Sequence, residues 1–314
     1  MKKSATPLNT LQILYTKEQN ARKKYAEHYK NITSSQQYSN TVDDIIQNGY
    51  SIKNNVIDKE ILKKILDQFE NFLNQGVCIS SPRKIPAINS LDDSQRLMEM
   101  PRLSNDELRK GFKTYRHIVD NVQMQDPLIN CSEIVDLCLN VMFIEIAAKY
   151  LNSFPALAYV KLVRNFVNDL PLFDTQFFHM DTTAAKLLKV FIYLNDVDQD
   201  GGPLCYVKHS HHNINKYWDT KPRWNKDEIN KEFGDKNLIL CTAKKGDVIF
   251  ADTTGFHKGV KPLKNDRNVL VITYSLHQDY TFNGKLDVLP KIKNSKFSSL
   301  SVEKRALLDL VEKI

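Results

Sequence analysis

From Pro155 onward the chain is written in short apolar segments, LAYVKLVRNFV, TQFFHMD, KLLKVFIYLND, GPLCYVKHSH, GDVIFADTT and NVLVITYSLHQ, separated by NDL, DQDGG, KKGD and LKND. β-Branched and aromatic residues fill the segments, and Gly, Asp and Asn fill the joints, so each segment reads as a strand bounded by turns. The segments lie close together with no long helices between them. An antiparallel sheet that curls into a sandwich or barrel is therefore predicted. Residues 213–237, NINKYWDTKPRWNKDEINKEFGDKN, break the rhythm: they are polar and hold both tryptophans. They are predicted to form an inserted loop and helix over one end of the barrel, acting as a mobile lid.

The chain before Pro155 is mostly helical in pattern. Residues 1–41 carry Lys, Asn, Ser and Gln with few apolar positions, which predicts a polar, loosely attached, partly helical arm holding no site. From Val42 a short helix, a strand ending near Val56 and a helix capped by Asp58 are expected. In that helix Ile61, Leu62, Ile65, Leu66, Phe69 and Phe72 recur at intervals that bury one face. Two more helical stretches are predicted, near Asn105 to Asp120 and Ser132 to Leu151. The main domain is placed at residues 42–285, followed by a helical extension over 286–314.

Composition narrows the class. No apolar run approaches the roughly 18 to 20 residues that cross a bilayer, and the opening MKKSATPLNTLQ lacks the apolar stretch of a signal peptide, so a cytoplasmic protein is expected. Five cysteines, none spaced as CxxC, argue against a disulfide framework or a zinc ribbon. The net charge of +7 comes from 44 Lys and Arg against 37 Asp and Glu. The lysines are scattered among acids along helices such as DKEILKKILDQFENFL, which describes a solvated surface better than a nucleic-acid footprint.

The chemistry concentrates in Gln176-Phe177-Phe178-His179-Met180-Asp181. Residues two apart on an extended chain point to the same side, so His179 and Asp181 can converge on one ion. A further histidine would complete a two-histidine, one-carboxylate facial triad, the donor set that leaves three positions open on iron(II). His257, in GDVIFADTTGFHKGV, is the candidate. Ten residues later Arg267 opens the next strand. A guanidinium directed into a barrel needs an anion and can grip a carboxylate with two parallel hydrogen bonds, and the distal carboxylate of 2-oxoglutarate suits it.

With these residues in place the chain resembles the phytanoyl-CoA dioxygenase-like (PhyH) family of iron(II)/2-oxoglutarate oxygenases. The likeness rests on His179-x-Asp181, the Gly246-Asp247 turn into Val248-Ile249-Phe250, His257 and Arg267, and more weakly on Asn48-Gly49-Tyr50-Ser51-Ile52. It spans roughly residues 42 to 280. The resemblance implies a mainly β double-stranded β-helix (jelly roll, cupin-like) with N-terminal helices packed outside. It also implies iron(II), 2-oxoglutarate and dioxygen as metal and cosubstrates, and hydroxylation of a C–H bond in a small-molecule or lipid-like substrate with release of succinate and carbon dioxide. The chain departs from the pattern where it has Phe178 in place of a common Trp, and where Lys208-His209-Ser210-His211 follows Gly201-Gly202-Pro203. Asp181 disfavours halogenation, since halogenases of this fold replace the carboxylate with a small residue.

Each feature has a plainer reading beside the functional one. An HxD triplet on its own is commonly a surface pair; the downstream His257 and Arg267 make the set specific. On LAYVKLVRNFV, Tyr159, Lys161, Val163 and Asn165 share a face, and Lys161 and Asn165 are candidates to contact 2-oxoglutarate or substrate. Alternatively, Lys161 reaches out to solvent. Tyr193 is expected to pack the core, and Trp218 and Trp224 to pin the insertion. His209, His211 and His212 lack a carboxylate or cysteine beside them and are read as loop residues; His28, His117 and His277 have no visible partners. Two other functions remain open: hydroxylation of a protein or nucleic-acid side chain, and a non-catalytic jelly-roll binding module. The oligomeric state is not legible.

Overall fold

The computed structural model describes residues 7–75, 78–82, 119–124 and 126–276. The C-terminal extension, His117, His277 and most of the helix expected near Asn105 to Asp120 fall outside them. The amino-terminal part holds helices α1 (Leu8–Ala21), α2 (Ala26–Thr33), α3 (Ser39–Asn48) and α4 (Lys59–Gln75), with strand β1 (Tyr50–Lys53) between the last two. Strands β2 (Cys78–Pro82) and β3 (Val119–Met124), which pair antiparallel, precede the short helices α5 (Pro127–Asn130) and α6 (Ser132–Cys138) and the longer α7 (Val141–Leu151). The remaining strands are β4 (Ala156–Asn165), β5 (Leu188–Tyr193), β6 (Leu204–Val207), β7 (Leu238–Cys241), β8 (Val248–Ala251), β9 (His257–Gly259) and β10 (Arg267–Ser275). Helices α8 (Ile214–Tyr217) and α9 (Lys226–Phe233) occupy the interruption between β6 and β7.

Every strand pairing among the described residues is antiparallel. Seven strands order as β1-β8-β5-β10-β4-β3-β2, and three as β7-β6-β9. Strand periodicity divides the large sheet into two faces. Val160, Leu162, Val190, Ile192, Phe250, Leu270 and Ile272 share a core with Leu62, Ile65, Phe69 and Phe143 of the helices. The opposite face contributes Val163, Tyr193, Ile249, Val269 and Val271 to a second core, closed from the small sheet by Leu204, Tyr206 and Cys241. Burying an aliphatic or aromatic side chain stabilises by about 1.5–3 kcal/mol, so the two cores together set the fold. No helix among the described residues is long and apolar enough to cross a membrane.

The expected cap and buried face of α4 are present. Asp58 Oδ1 accepts from the Glu60 N–H at 2.7 Å, and Leu62, Ile65 and Phe69 are fully buried. Three expectations need correction. The helix placed over Ser132 to Leu151 is two helices, because Asn140 adopts extended backbone and its side chain caps α7 through the Met142 N–H. Val119 and Asp120, placed at a helix end, open β3. The amino-terminal segment read as loosely attached is docked from Leu8 onward. Leu8 and Leu11 bury against Trp218, Tyr15 OH donates to Leu151 O, and the buried Arg22 donates to the carbonyls of Phe154 and Pro155 at 2.5 and 2.7 Å. Few apolar residues are enough there because a guanidinium satisfies two carbonyls at once.

Gly49 ends α3 with φ +88°, its N–H returning to Ile45 O. A Cβ at this position would meet the buried Tyr206 ring at 2.5 and 2.6 Å. Gly49→Ala combines left-handed strain with overpacking and is expected to lower stability by about 3 kcal/mol or more. Denaturant unfolding of the variant beside wild type measures it.

Candidate metal centre

His179 and His257 are brought together by their own backbones rather than by a full strand. The TQFFHMD segment, expected as a strand, is a short 3-10 turn over Asp174–Gln176 followed by two isolated bridges. In the second bridge His179 N–H donates to His257 O at 2.9 Å and His257 N–H to His179 O at 3.0 Å. Asp181 N–H then donates to Thr253 O at 2.8 Å, which ties the carboxylate's backbone to the loop preceding His257. The two imidazole centroids lie 4.3 Å apart, and His257 Nε2 is 3.7 Å from Asp181 Oδ2.

Hydrogen bonding sets the tautomers. His179 Nδ1 lies 3.0 Å from Phe177 O, and His257 Nδ1 lies 3.0 Å from Gly255 O. A carbonyl can only accept, so each Nδ1 carries the proton and each Nε2 keeps its lone pair. Burial pushes His179 down to about 4 and His257 down to about 3, and in His257 the neighbouring imidazole adds to the effect. Both rings are thus neutral at physiological pH. Burial opposes ionisation of Asp181, yet the Lys189 ammonium and the two imidazoles hold it well below the usual carboxylate range. Ligand atoms of His179, Asp181 and His257 lie within 4.8 Å of one another, one from each residue. Two neutral nitrogens and one anionic oxygen match what a divalent transition metal takes.

Arg267 lies on the same inner face. Register places Arg267, Val269, Val271 and Thr273 of β10 opposite Asn165, Val163, Lys161 and Tyr159 of β4. The guanidinium donates to Asn165 Oδ1 from Nε and Nη2 at 3.2 and 2.8 Å, and to Gly202 O from Nη1. All these acceptors are neutral, and burial lowers the pKa of Arg267. A Cβ on Gly259, two residues after His257, would stand 3.3 Å from Arg267 Nη2. The glycine lets the guanidinium lie against the strand that carries the second histidine.

The remaining candidates divide. Asn165 orients Arg267. Lys161 sits on the inner face opposite Val271, and burial, reinforced by the Lys189 charge, pushes it down to about 8. Sequence reasoning missed Lys189, whose Nζ lies 2.6 Å from Asp181 Oδ2. The signal was available, for a lysine inside the apolar run KLLKVFIYLND stands at the inward parity of its strand. Thr273, opposite both Tyr159 and Lys189, has a buried hydroxyl with no hydrogen-bond partner. Tyr193 is structural: its OH contacts Cys241 O and accepts from Leu204 N–H, joining the two sheets. His209, His211 and His212 face the carbonyls of Ile46 and Gln47 at the end of α3, where helix carbonyls need partners.

The insertion is pinned beside the site. Phe178 and Trp224 exchange backbone hydrogen bonds at 3.0 and 2.9 Å. Phe178, Tyr217, Ile229 and Phe256 form one cluster, so residues adjacent to both histidines share a core with α9. Trp224 stands edge-on to Phe256 and Tyr217. Trp224→Ala is expected to cost about 1–3 kcal/mol of stability and to weaken metal binding several-fold by loosening both histidine segments. Thermal melts and a metal titration check the two effects.

The phytanoyl-CoA dioxygenase (PhyH) family profile matches residues 170–261. Over that stretch the chain is similar to PhyH proteins. That family is one of non-haem iron, 2-oxoglutarate-dependent enzymes. The PhyH match contains His179, Asp181, Lys189 and His257, and it stops short of Arg267. Among solved structures, the non-haem alpha-ketoglutarate-dependent epimerase SnoN from nogalamycin biosynthesis superposes with TM-score 0.51 at 14% identity, over 76% of this chain and 82% of that one. This likeness shows the fold, the jelly-roll type of the 2-oxoglutarate oxygenases. HygX from Streptomyces hygroscopicus, with nickel, 2-oxoglutarate and hygromycin B bound, is similar at 14% identity and TM-score 0.47, over 76% of this chain and 88% of that one. No curated protein matches the sequence.

Proposed function

We propose that the chain is an iron(II)- and 2-oxoglutarate-dependent oxygenase that hydroxylates a C–H bond of a small molecule, with His179, Asp181 and His257 as metal ligands. One observation carries the reading: a neutral-imidazole, carboxylate, neutral-imidazole cluster stands beside a buried guanidinium that lies against the strand carrying His257 and whose hydrogen-bond acceptors are all neutral. Iron bound there would supply activation of dioxygen, coupling decarboxylation of 2-oxoglutarate to succinate and carbon dioxide with oxidation of the substrate.

The protein's own residues do the rest. The Phe177 and Gly255 carbonyls keep both Nε2 lone pairs turned forward, so the donor set is organised before a metal arrives. Arg267 receives the distal carboxylate of 2-oxoglutarate, and Asn165 with the Gly202 carbonyl fixes the guanidinium plane. Lys161 and the Thr273 hydroxyl offer donors from the same wall to the cosubstrate or the substrate. Residues 213–237 flank the mouth and shield the reaction from water. The epimerase SnoN, from nogalamycin biosynthesis, belongs to the making of a small molecule, and a small-molecule substrate here fits that likeness.

The test is substrate-stimulated succinate release from anaerobically iron-loaded protein, screened over small molecules, with mass analysis of the product. A product heavier by one oxygen supports hydroxylation. No 2-oxoglutarate turnover, with no iron bound, would instead favour the binding-module reading.

A further inference from the structure

The functional reading leaves Lys189 without a task, although it makes the shortest polar contact to a proposed ligand. Its Nζ lies 2.6 Å from Asp181 Oδ2, and the same oxygen faces His257 Nε2 at 3.7 Å. The contact is therefore on the side of the carboxylate that looks into the cluster. Both side chains are largely withdrawn from solvent, at 17% and 16% exposure, so bulk water and salt screen the pair weakly.

The sheet holds the lysine at this position. Lys189 projects from β5 with Ala251 opposite it on β8 and Thr273 opposite it on β10. Lys161 is its like-charged neighbour on the same face, and repulsion between the two ammonium groups favours the turn of Lys189 toward Asp181. A divalent ion bonded to Asp181 Oδ2 would stand close to the Lys189 ammonium, three positive charges around one oxygen in a poorly screened pocket.

We propose that Lys189 and the metal compete for Asp181 Oδ2, so that this lysine sets the metal affinity of the site and metal loading turns its ammonium away from the carboxylate. The proposal rests on the metal-ligand reading of His179, Asp181 and His257. A lysine that merely supports the carboxylate makes the opposite prediction, because its removal would disorder Asp181 and weaken the metal.

The experiment is calorimetric titration of manganese(II) alone into anaerobic wild type and into Lys189→Met, Lys189→Gln, Lys189→Arg and His179→Ala variants. Competition predicts binding about tenfold tighter in Lys189→Met and Lys189→Gln, the scale expected on removing one nearby like charge. Lys189→Arg, which keeps the charge, should show no tightening. Unchanged or weaker binding in both neutral variants overturns the proposal. So does failure of both to fold, which would make the lysine a structural partner of Asp181. His179→Ala separates the two levels of argument. If it binds manganese(II) as wild type does, the ligand assignment fails; if it loses the metal while the neutral Lys189 variants do not tighten, only the competition fails.

Discussion

Replacing His257 with alanine is expected to abolish stoichiometric iron(II) binding, and with it the weak visible charge-transfer band that an iron-chelated keto acid shows in the absence of oxygen. Hydrogen-bond partners of metal-bound histidines are themselves worth roughly 10–100-fold in affinity, so direct loss of one of three ligands should weaken binding by at least ~100-fold. His179→Ala should behave alike, because the two imidazoles are arranged equivalently, each Nδ1 against a backbone carbonyl two residues earlier. The variants should stay folded, since the backbone bridge between the two positions does not use the side chains. Proton release gives a second readout. Both imidazoles are already neutral well below pH 6, and Asp181 is ionised there. Metal binding therefore has no ligand proton to displace between pH 6 and 8, and titrations in buffers of different ionisation enthalpy should report close to zero protons. A band retained in both alanine variants would remove these histidines from the metal.

Arg267→Ala should leave metal affinity nearly intact and instead weaken 2-oxoglutarate. Breaking a buried, charge-assisted pair from one side costs on the order of 3–5 kcal/mol, because the remaining charge is stranded. Since about 1.4 kcal/mol is tenfold, apparent affinity should fall at least a hundredfold. Arg267→Lys should lie between, keeping the charge and losing the second hydrogen bond. Asn165→Ala should have a smaller effect of the same kind, as it frees the guanidinium that Asn165 Oδ1 now orients through two donors. Keto acids without a distal carboxylate should lose less than 2-oxoglutarate does in the alanine variant. The measurement is a titration of each keto acid into iron-loaded wild type and variants. Full 2-oxoglutarate affinity in Arg267→Ala, with collapsed iron binding, would refute the assignment and move the anchor to Lys161.

Much of this site could be read from the chain because its signals are local. His179 and Asp181 lie two residues apart, His257 stands between Gly255 and Gly259, and Arg267 opens the next strand. Alternation along β4 also placed Lys161 and Asn165 on one face correctly. Lys189 was overlooked because its parity matters only relative to Asp181, and the approach of β5 to that carboxylate is a property of sheet order. The amino-terminal helices were misjudged for a related reason. Leu8 and Leu11 are too sparse to announce a core, and they bury because Trp218, some two hundred residues away, completes it.

By itself, the sequence determined the antiparallel strand grammar, the donor types and their spacing, since the period of two and the chemistry of imidazole, carboxylate and guanidinium are carried by short stretches of chain. Only the tertiary structure decided which groups meet: β1 against β8, Asn165 under Arg267, the α3 carbonyls against His209, His211 and His212, and Lys189 on Asp181. These contacts join residues far apart in the chain or on separate strands. Their energies depend on sheet order and on the water excluded around them, neither of which is present in any local pattern of residues.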